Sequence, residues 1–180
     1  MAAKKKIGLI ISLVLIVTLI GIVVKNEFAD DETITALIKK EDGTEQIVYE
    51  TKLVGLDHSE TTLEDYKDKI LVLNFWASWC GPCINEAPDL NEFYKKKLKN
   101  VEFLAINMTS KEKGIESVEK FADQYHIKFP IFLDEQGLLL KSFEIMGYPT
   151  TIIIDADGVV QYRIQGEVNQ DQLNELVSQL

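Results

Sequence analysis

The stretch Ile70 to Glu86, ILVLNFWASWCGPCINE, constrains this chain more than any other. Ile70 to Trp76 is a near-continuous apolar run rich in β-formers, the pattern of a strand buried on both faces. The chain then turns through Ala77, Ser78 and Trp79 into Cys80-Gly81-Pro82-Cys83. Apolar residues recur at Ile84, Ala87, Leu90, Phe93 and Tyr94, a helical spacing, so a helix is predicted to begin at the cysteines. With Cys80 as N-cap, Pro82 falls in the first turn, where its missing N–H costs little. The backbone N–H of Cys83 then points at the sulfur of Cys80, as toward a capping oxygen.

That geometry carries chemistry. Cysteines one helical turn apart lie about 5–6 Å apart at Cα, within reach of a disulfide. The free N–H groups and partial positive charge of a helix N-terminus favour a thiolate at Cys80. A thiolate that can close a ring with its neighbour is the working unit of thiol–disulfide exchange. Two other readings of the pair stay open. A structural disulfide would close only a short loop and gain little entropy. Half a zinc site would need two more ligands, and only the isolated His58 and His126 are available.

The segment NFWASWCGPC resembles the active-site segment of the thioredoxin superfamily. More narrowly, it is similar to the TlpA/ResA/CcmG-like membrane-anchored thiol–disulfide oxidoreductases. Cys80-Gly81-Pro82-Cys83 is the centre found in thioredoxin itself. Asn74-Phe75-Trp76 and Glu86, three residues after Cys83, resemble the ResA-like branch. The likeness runs from about Lys52 to Leu180. One departure from thioredoxin is Asn74, which stands where thioredoxin has a buried aspartate and cannot take a proton.

The N-terminus has a different character. Ile7 to Val24 is 18 residues without a charge, interrupted only by Ser12, Thr18 and two glycines. That length fits a short transmembrane helix. Lys4, Lys5 and Lys6 precede it and no acidic residue occurs before Glu27, which places the N-terminus in the cytoplasm and the remainder outside. A cleaved signal peptide is the rival, but its apolar region is shorter and Val23-Val24-Lys25 is a poor cleavage site. The expected organisation is a cytoplasmic stub and membrane anchor (1–25), a tether (26–33) and one domain (34–180). Beyond Lys25 there are 15 basic against 29 acidic residues, a net charge of −14. A surface so acidic offers no footprint for nucleic acid.

The rest of the chain alternates strand and helix patterns. A hairpin is expected around Asp42-Gly43, a strand over Leu53 to Leu56, and a helical turn capped by Thr62 with Asp65 completing a capping box. After the cysteine helix, which Pro88 is expected to kink, come a strand over Val101–Asn107 and a helix over Lys111–Tyr125. A strand over Phe129–Leu133 and a short helix over Gln136–Phe143 follow. Thr151–Ile154 and Val159–Ile164 read as a hairpin about Asp157-Gly158, and Asn169 caps a final helix. The expected fold is therefore α/β: a thioredoxin-like three-layer arrangement, with a central mixed sheet and helices on both faces. One N-terminal transmembrane helix and an N-terminal β-hairpin extension are added to it. The cysteines fall past the C-terminal end of the first long strand, where open α/β sheets place their chemistry.

The remaining expectations concern roles. Cys80 is the attacking and Cys83 the resolving thiol, and no cofactor or metal is needed. Trp79 reads as a contact surface beside Cys80 or as core packing. The resemblance implies that Pro149 is cis and, with Tyr148, Pro82 and Trp79, meets an extended substrate; without it Pro149 reads as an ordinary trans proline at a strand start. Glu86 shares a helix face with Cys83 and is either a proton acceptor or a solvated helix carboxylate. The resemblance also implies reduction of protein disulfides, in apocytochrome c or spore-envelope proteins, with electrons from a membrane donor of the CcdA/DsbD type. Rival functions are a disulfide-forming oxidase, a thiol peroxidase and a copper-binding module. Against the peroxidase, Leu73 and Ala77 stand where that family has proline and threonine. The copper module would need wider cysteine spacing and a dedicated histidine.

Overall fold

In a computed structural model of the chain, residues 13–19 and 34–180 are described. The expected hairpin is present: β1 (Leu37–Lys39) pairs antiparallel with β2 (Glu45–Ile47). Gly43 takes the left-handed conformation at its turn, φ +86°, which glycine adopts without steric cost. A second two-stranded sheet pairs β3 (Lys52–Val54) with β4 (Glu60–Thr62). The apolar pattern gives no sign of β4, because Glu60-Thr61-Thr62 is polar and at most half-buried. Thr62 then caps a helical turn over Leu63–Tyr66, and its backbone N–H donates to Asp65 at 3.1 Å as the capping box requires.

The central sheet has five strands in the order β7-β6-β5-β8-β9. These are β5 (Ile70–Trp76), β6 (Val101–Asn107), β7 (Ile131–Leu133), β8 (Thr150–Ile154) and β9 (Val160–Gln165). β5, β6 and β7 run parallel, while β8 and β9 join antiparallel. The helices packed with this sheet are α1 (Gly81–Lys95), α2 (Ile115–Gln124), α3 (Leu138–Ser142) and α4 (Gln170–Val177). α1 continues through Pro88 to Lys95. Asn169 caps α4, its side chain accepting the Gln172 backbone N–H at 2.9 Å.

Residues of β5 alternate between two cores, as the two-residue period of a strand dictates. Leu71, Leu73 and Phe75 join α3 residues Leu139 and, just past it, Phe143. Ala36, Ile47, Leu53 and Leu63 of the N-terminal extension pack into that same core. Val72 and Trp76 face the other way, into a cluster with Cys83, Ala87 and Leu90 of α1, Val118 and Phe121 of α2, and Leu173 and Val177 of α4. The chain thus places helices on both faces of a mixed sheet. Asn74 shares the parity of Val72 and Trp76, which aims it at α1.

One helix starts late. A helix is expected from Lys111, but residues Thr109–Lys111 form only a helical turn and α2 begins at Ile115, the first residue of the apolar spacing. Gly114 intervenes at φ +149°, a conformation that L side chains rarely adopt.

Ile34–Leu180 forms one compact unit, and residues 13–19 belong to a separate one. Of the expected span Ile7 to Val24, residues 13–19 are helical and the rest lies outside the described residues, as does the tether 26–33. Among the described residues no helix is long and apolar enough to cross a membrane.

Candidate active site

The two cysteines sit where β5 hands over to α1. Cys80 is the N-cap of α1, and its Sγ accepts the Cys83 backbone N–H at 3.2 Å. Pro82 lies in the first turn, as the sequence requires. The cysteines form a disulfide with Cα atoms 5.2 Å apart. Cys80 is 6% exposed and Cys83 2%, so an incoming group reaches Cys80 first. Gly81 and Pro82 beside them are exposed.

Glu86 is not a solvated helix carboxylate: it is 2% exposed, beneath the disulfide on α1. Its Oε1 accepts the Asn74 Nδ2–H at 2.9 Å and its Oε2 the Val168 backbone N–H at 3.1 Å. Asn74 donates also to the Thr151 hydroxyl oxygen at 3.1 Å, across the β5–β8 pairing that sets these residues opposite each other. Burial pushes the Glu86 carboxyl up to about 7, the hydrogen bonds from Asn74 and Val168 pull against it, and the nearby charge of Glu167 adds to the rise. Asn74, Cys83 and Glu86 line one cavity of about 10 Å³. Trp76 lines it too, and its buried indole N–H is the one buried side-chain polar atom among the described residues without a hydrogen-bond partner.

The second wall comes from the segment before β8. The Tyr148–Pro149 peptide is cis, as the family resemblance implies. Pro149 is buried and immediately precedes Thr150, which pairs with Phe75 of β5. The ring of Tyr148 meets Trp79 edge-on at 5.8 Å. Trp79 is 57% exposed, so it is a surface residue beside Cys80 rather than core. Trp76 is the core member of the pair, its ring centroid 4.4 Å from that of Phe121 with the planes tilted by 39°. Burial raises the Tyr148 phenol, and the charges of Asp134 and Glu112 add to that.

The structure therefore brings Cys80, Cys83, Glu86, Trp79, Pro82, Tyr148 and Pro149 to one end of the sheet. His58 and His126 lie in exposed positions with positive φ. Among the described residues no cluster of three His, Cys, Asp or Glu side chains could hold a metal ion. Sequence reasoning missed three participants. Asn74 enters the sequence reading as part of a family lead-in and as a missing aspartate, while its strand parity is the signal that it faces α1. Val168 contributes a backbone N–H, which no side-chain pattern reports. Glu112, whose carboxylate accepts from Ser78 and Asn107, lies in a stretch that reads as helix.

What this arrangement can do follows from its parts. A sulfur at a helix N-terminus is stabilised as thiolate. A second sulfur one turn on can displace whatever the first has bound. A buried carboxyl that titrates near neutrality can exchange a proton with the inner thiol.

A family model described as Redoxin matches residues 30–180. Over 129 residues the chain is 38% identical to the thiol-disulfide oxidoreductase ResA of Bacillus thuringiensis subsp. konkukian, covering 71% of this chain and 73% of that protein. It is 39% identical over 125 residues to the thioredoxin-like protein YneN of Bacillus subtilis, covering 68% and 73% respectively. Among solved structures, StoA from Bacillus subtilis superposes with a TM-score of 0.66 at 25% identity, over 81% of this chain and 98% of that one. A secreted Mycobacterium tuberculosis disulfide oxidoreductase homologous to E. coli DsbE has a TM-score of 0.65 at 22% identity, over 73% and 97%, a likeness of fold.

Proposed function

Since the chain belongs to the redoxin family and is a thiol–disulfide oxidoreductase of the ResA/StoA type, we propose that it reduces protein disulfides on the outer side of a bacterial cell membrane. The observation that carries this reading is the Cys80–Cys83 disulfide at the start of α1 with a buried carboxyl, Glu86, behind it. Cys80 thiolate attacks one sulfur of a substrate disulfide and expels the other as a thiolate. Cys83, after losing its proton, attacks the Cys80 sulfur of the mixed disulfide. The second substrate thiolate leaves, and the Cys80–Cys83 bond takes up the two electrons' worth of oxidation. Glu86 accepts the proton that Cys83 loses. Trp79, Pro82 and Tyr148 form the surface on which an extended segment around the substrate cysteine lies, with the buried Pro149 behind Tyr148. No cofactor takes part.

The direction follows from the compartment and the centre. Outside the cytoplasm a reductase must be recharged, so the reading includes a membrane electron donor of the CcdA/DsbD type. Apocytochrome c or spore-envelope proteins are the substrates it proposes. A Cys-Gly-Pro-Cys centre belongs with the reducing potential of thioredoxin, roughly −270 mV. Equilibration of the purified protein against glutathione is expected to give a potential at or below about −200 mV. A value near that of a strong oxidant, about −120 mV, would make it a disulfide-forming oxidase instead.

Location has its own test. The apolar run Ile7 to Val24 after three lysines supports an uncleaved anchor with the domain outside. Fractionated cells are expected to hold the full-length chain in the membrane, with the domain released by protease added outside. A soluble form beginning near Lys25 would replace the anchor with a signal peptide.

A further inference from the structure

The two residues before Cys80 are both held by the segment that follows β6. The Glu112 carboxylate accepts the Ser78 backbone N–H at 2.6 Å and the Ser78 hydroxyl at 2.6 Å. It accepts the Asn107 Nδ2–H at 3.0 Å as well. Next to Ser78, the Trp79 indole N–H donates to the Lys111 carbonyl at 3.0 Å. The anchoring side is itself buried and hydrogen-bonded. Asn107 is fully buried at the end of β6, opposite Trp76 in the sheet. Its Oδ1 accepts the Thr109 hydroxyl at 2.9 Å, and the Ser110 N–H reaches the Asp134 carbonyl at 3.0 Å. The departure of Glu112 from the α2 helix, with Gly114 at φ +149° behind it, leaves this side chain free to turn toward the cysteine loop.

We propose that Glu112 is a positioning residue for the reduced dithiol, fixing Ser78 and through it the Cys80 sulfur within closing distance of Cys83. The inference rests on the exchange chemistry above and adds the group that preorganises it. In the disulfide form the S–S bond itself holds Cys80. In the dithiol form that bond is absent, and beyond the Cys80 N–H to Ala77 carbonyl bond at 3.2 Å the loop is held by Glu112 and by the Trp79–Lys111 contact. Hydrogen bonds to a carboxylate are stronger than those between neutral groups. A sulfur already held in place loses less entropy on ring closure and is displaced faster by its neighbour. Glu112 therefore makes the dithiol the stronger reductant and speeds resolution by Cys83.

The test is the equilibrium of the full-length chain with glutathione, in which protein dithiol and glutathione disulfide yield protein disulfide and two reduced glutathiones. Glu112→Ala is expected to lower this constant about tenfold. Glu112→Gln keeps an oxygen for the Ser78 and Asn107 N–H groups and is expected to restore it to within about threefold. Ser78→Ala removes only the hydroxyl contact, and a smaller shift in the same direction is expected. The thermal midpoint of the disulfide form should stay near wild type in all three. Constants equal to wild type in Glu112→Ala and Ser78→Ala overturn the proposal. So does an equal loss in Glu112→Ala and Glu112→Gln accompanied by a lower midpoint of the disulfide form, which would make Glu112 a structural tie. Failure of the wild-type chain to exchange with glutathione would instead overturn the chemistry on which the inference rests.

Discussion

Glu86→Gln will flatten the fall in stability between about pH 4.5 and pH 7 and slow substrate reduction by about tenfold or more. The first effect follows from burial. The Glu86 carboxyl rises from an ordinary 4.5 to about 7, chiefly because burial penalises the anion. Between those values the folded protein keeps a proton that the unfolded chain releases. Stability from this group is therefore fully present below about pH 4.5 and lost as pH rises through about 7. At about 1.4 kcal/mol per pH unit, the wild type loses roughly 3 kcal/mol across that window. Glutamine has no charge to lose, so urea titrations of the variant should show no such slope.

The variant also isolates charge from shape. Its amide oxygen can accept the Val168 N–H, and its amide nitrogen can donate to Asn74 once the Asn74 amide is turned over. Thr151, which now accepts from Asn74, can then donate to it. The network survives with its polarity reversed, as it would with a protonated Glu86. What is lost is the proposed proton acceptor beside Cys83 and the negative charge near both sulfurs. Thiol alkylation against pH should show a lower pKa at Cys80, while the reductase rate falls. Curves that overlay the wild type in both assays would mean that the proton leaves Cys83 by another route.

Periodicity made much of this structure legible, because burial imposes it. The run Ile70 to Trp76 is apolar but for Asn74 since both its faces are covered, and the spacing from Ile84 to Tyr94 follows the face of α1 that packs on it. The position of Cys80 as N-cap was legible because proline in the first turn tolerates few other registers. The cis bond at Pro149 was not, and only the likeness to a family brought it forward. Failures of local pattern have equally specific causes. β4 is polar because it lies on a small two-stranded sheet with little to cover it. The helix expected from Lys111 starts at Ile115: Lys111 to Gly114 hold no apolar residue, Gly114 sits at φ +149°, and Glu112 turns to Ser78 and Asn107. The Glu86–Asn74 pair joins positions 12 apart on different elements, and only strand parity and helix face taken together would have found it.

Trapping the intermediate tests the central claim most directly. With Cys83→Ala in cells, Cys80 can still attack a substrate disulfide, but nothing displaces the bound substrate sulfur. The mixed disulfide then persists instead of resolving. Covalent adducts of Cys83→Ala are expected on non-reducing gels after acid quenching and thiol blocking. Dithiothreitol should release them, and peptide mapping should place every linkage at Cys80. Cys80→Ala should give none, since the inner sulfur is only 2% exposed. Absence of adducts from Cys83→Ala, or adducts from Cys80→Ala linked through Cys83, would contradict the assignment of Cys80 as the attacking thiol.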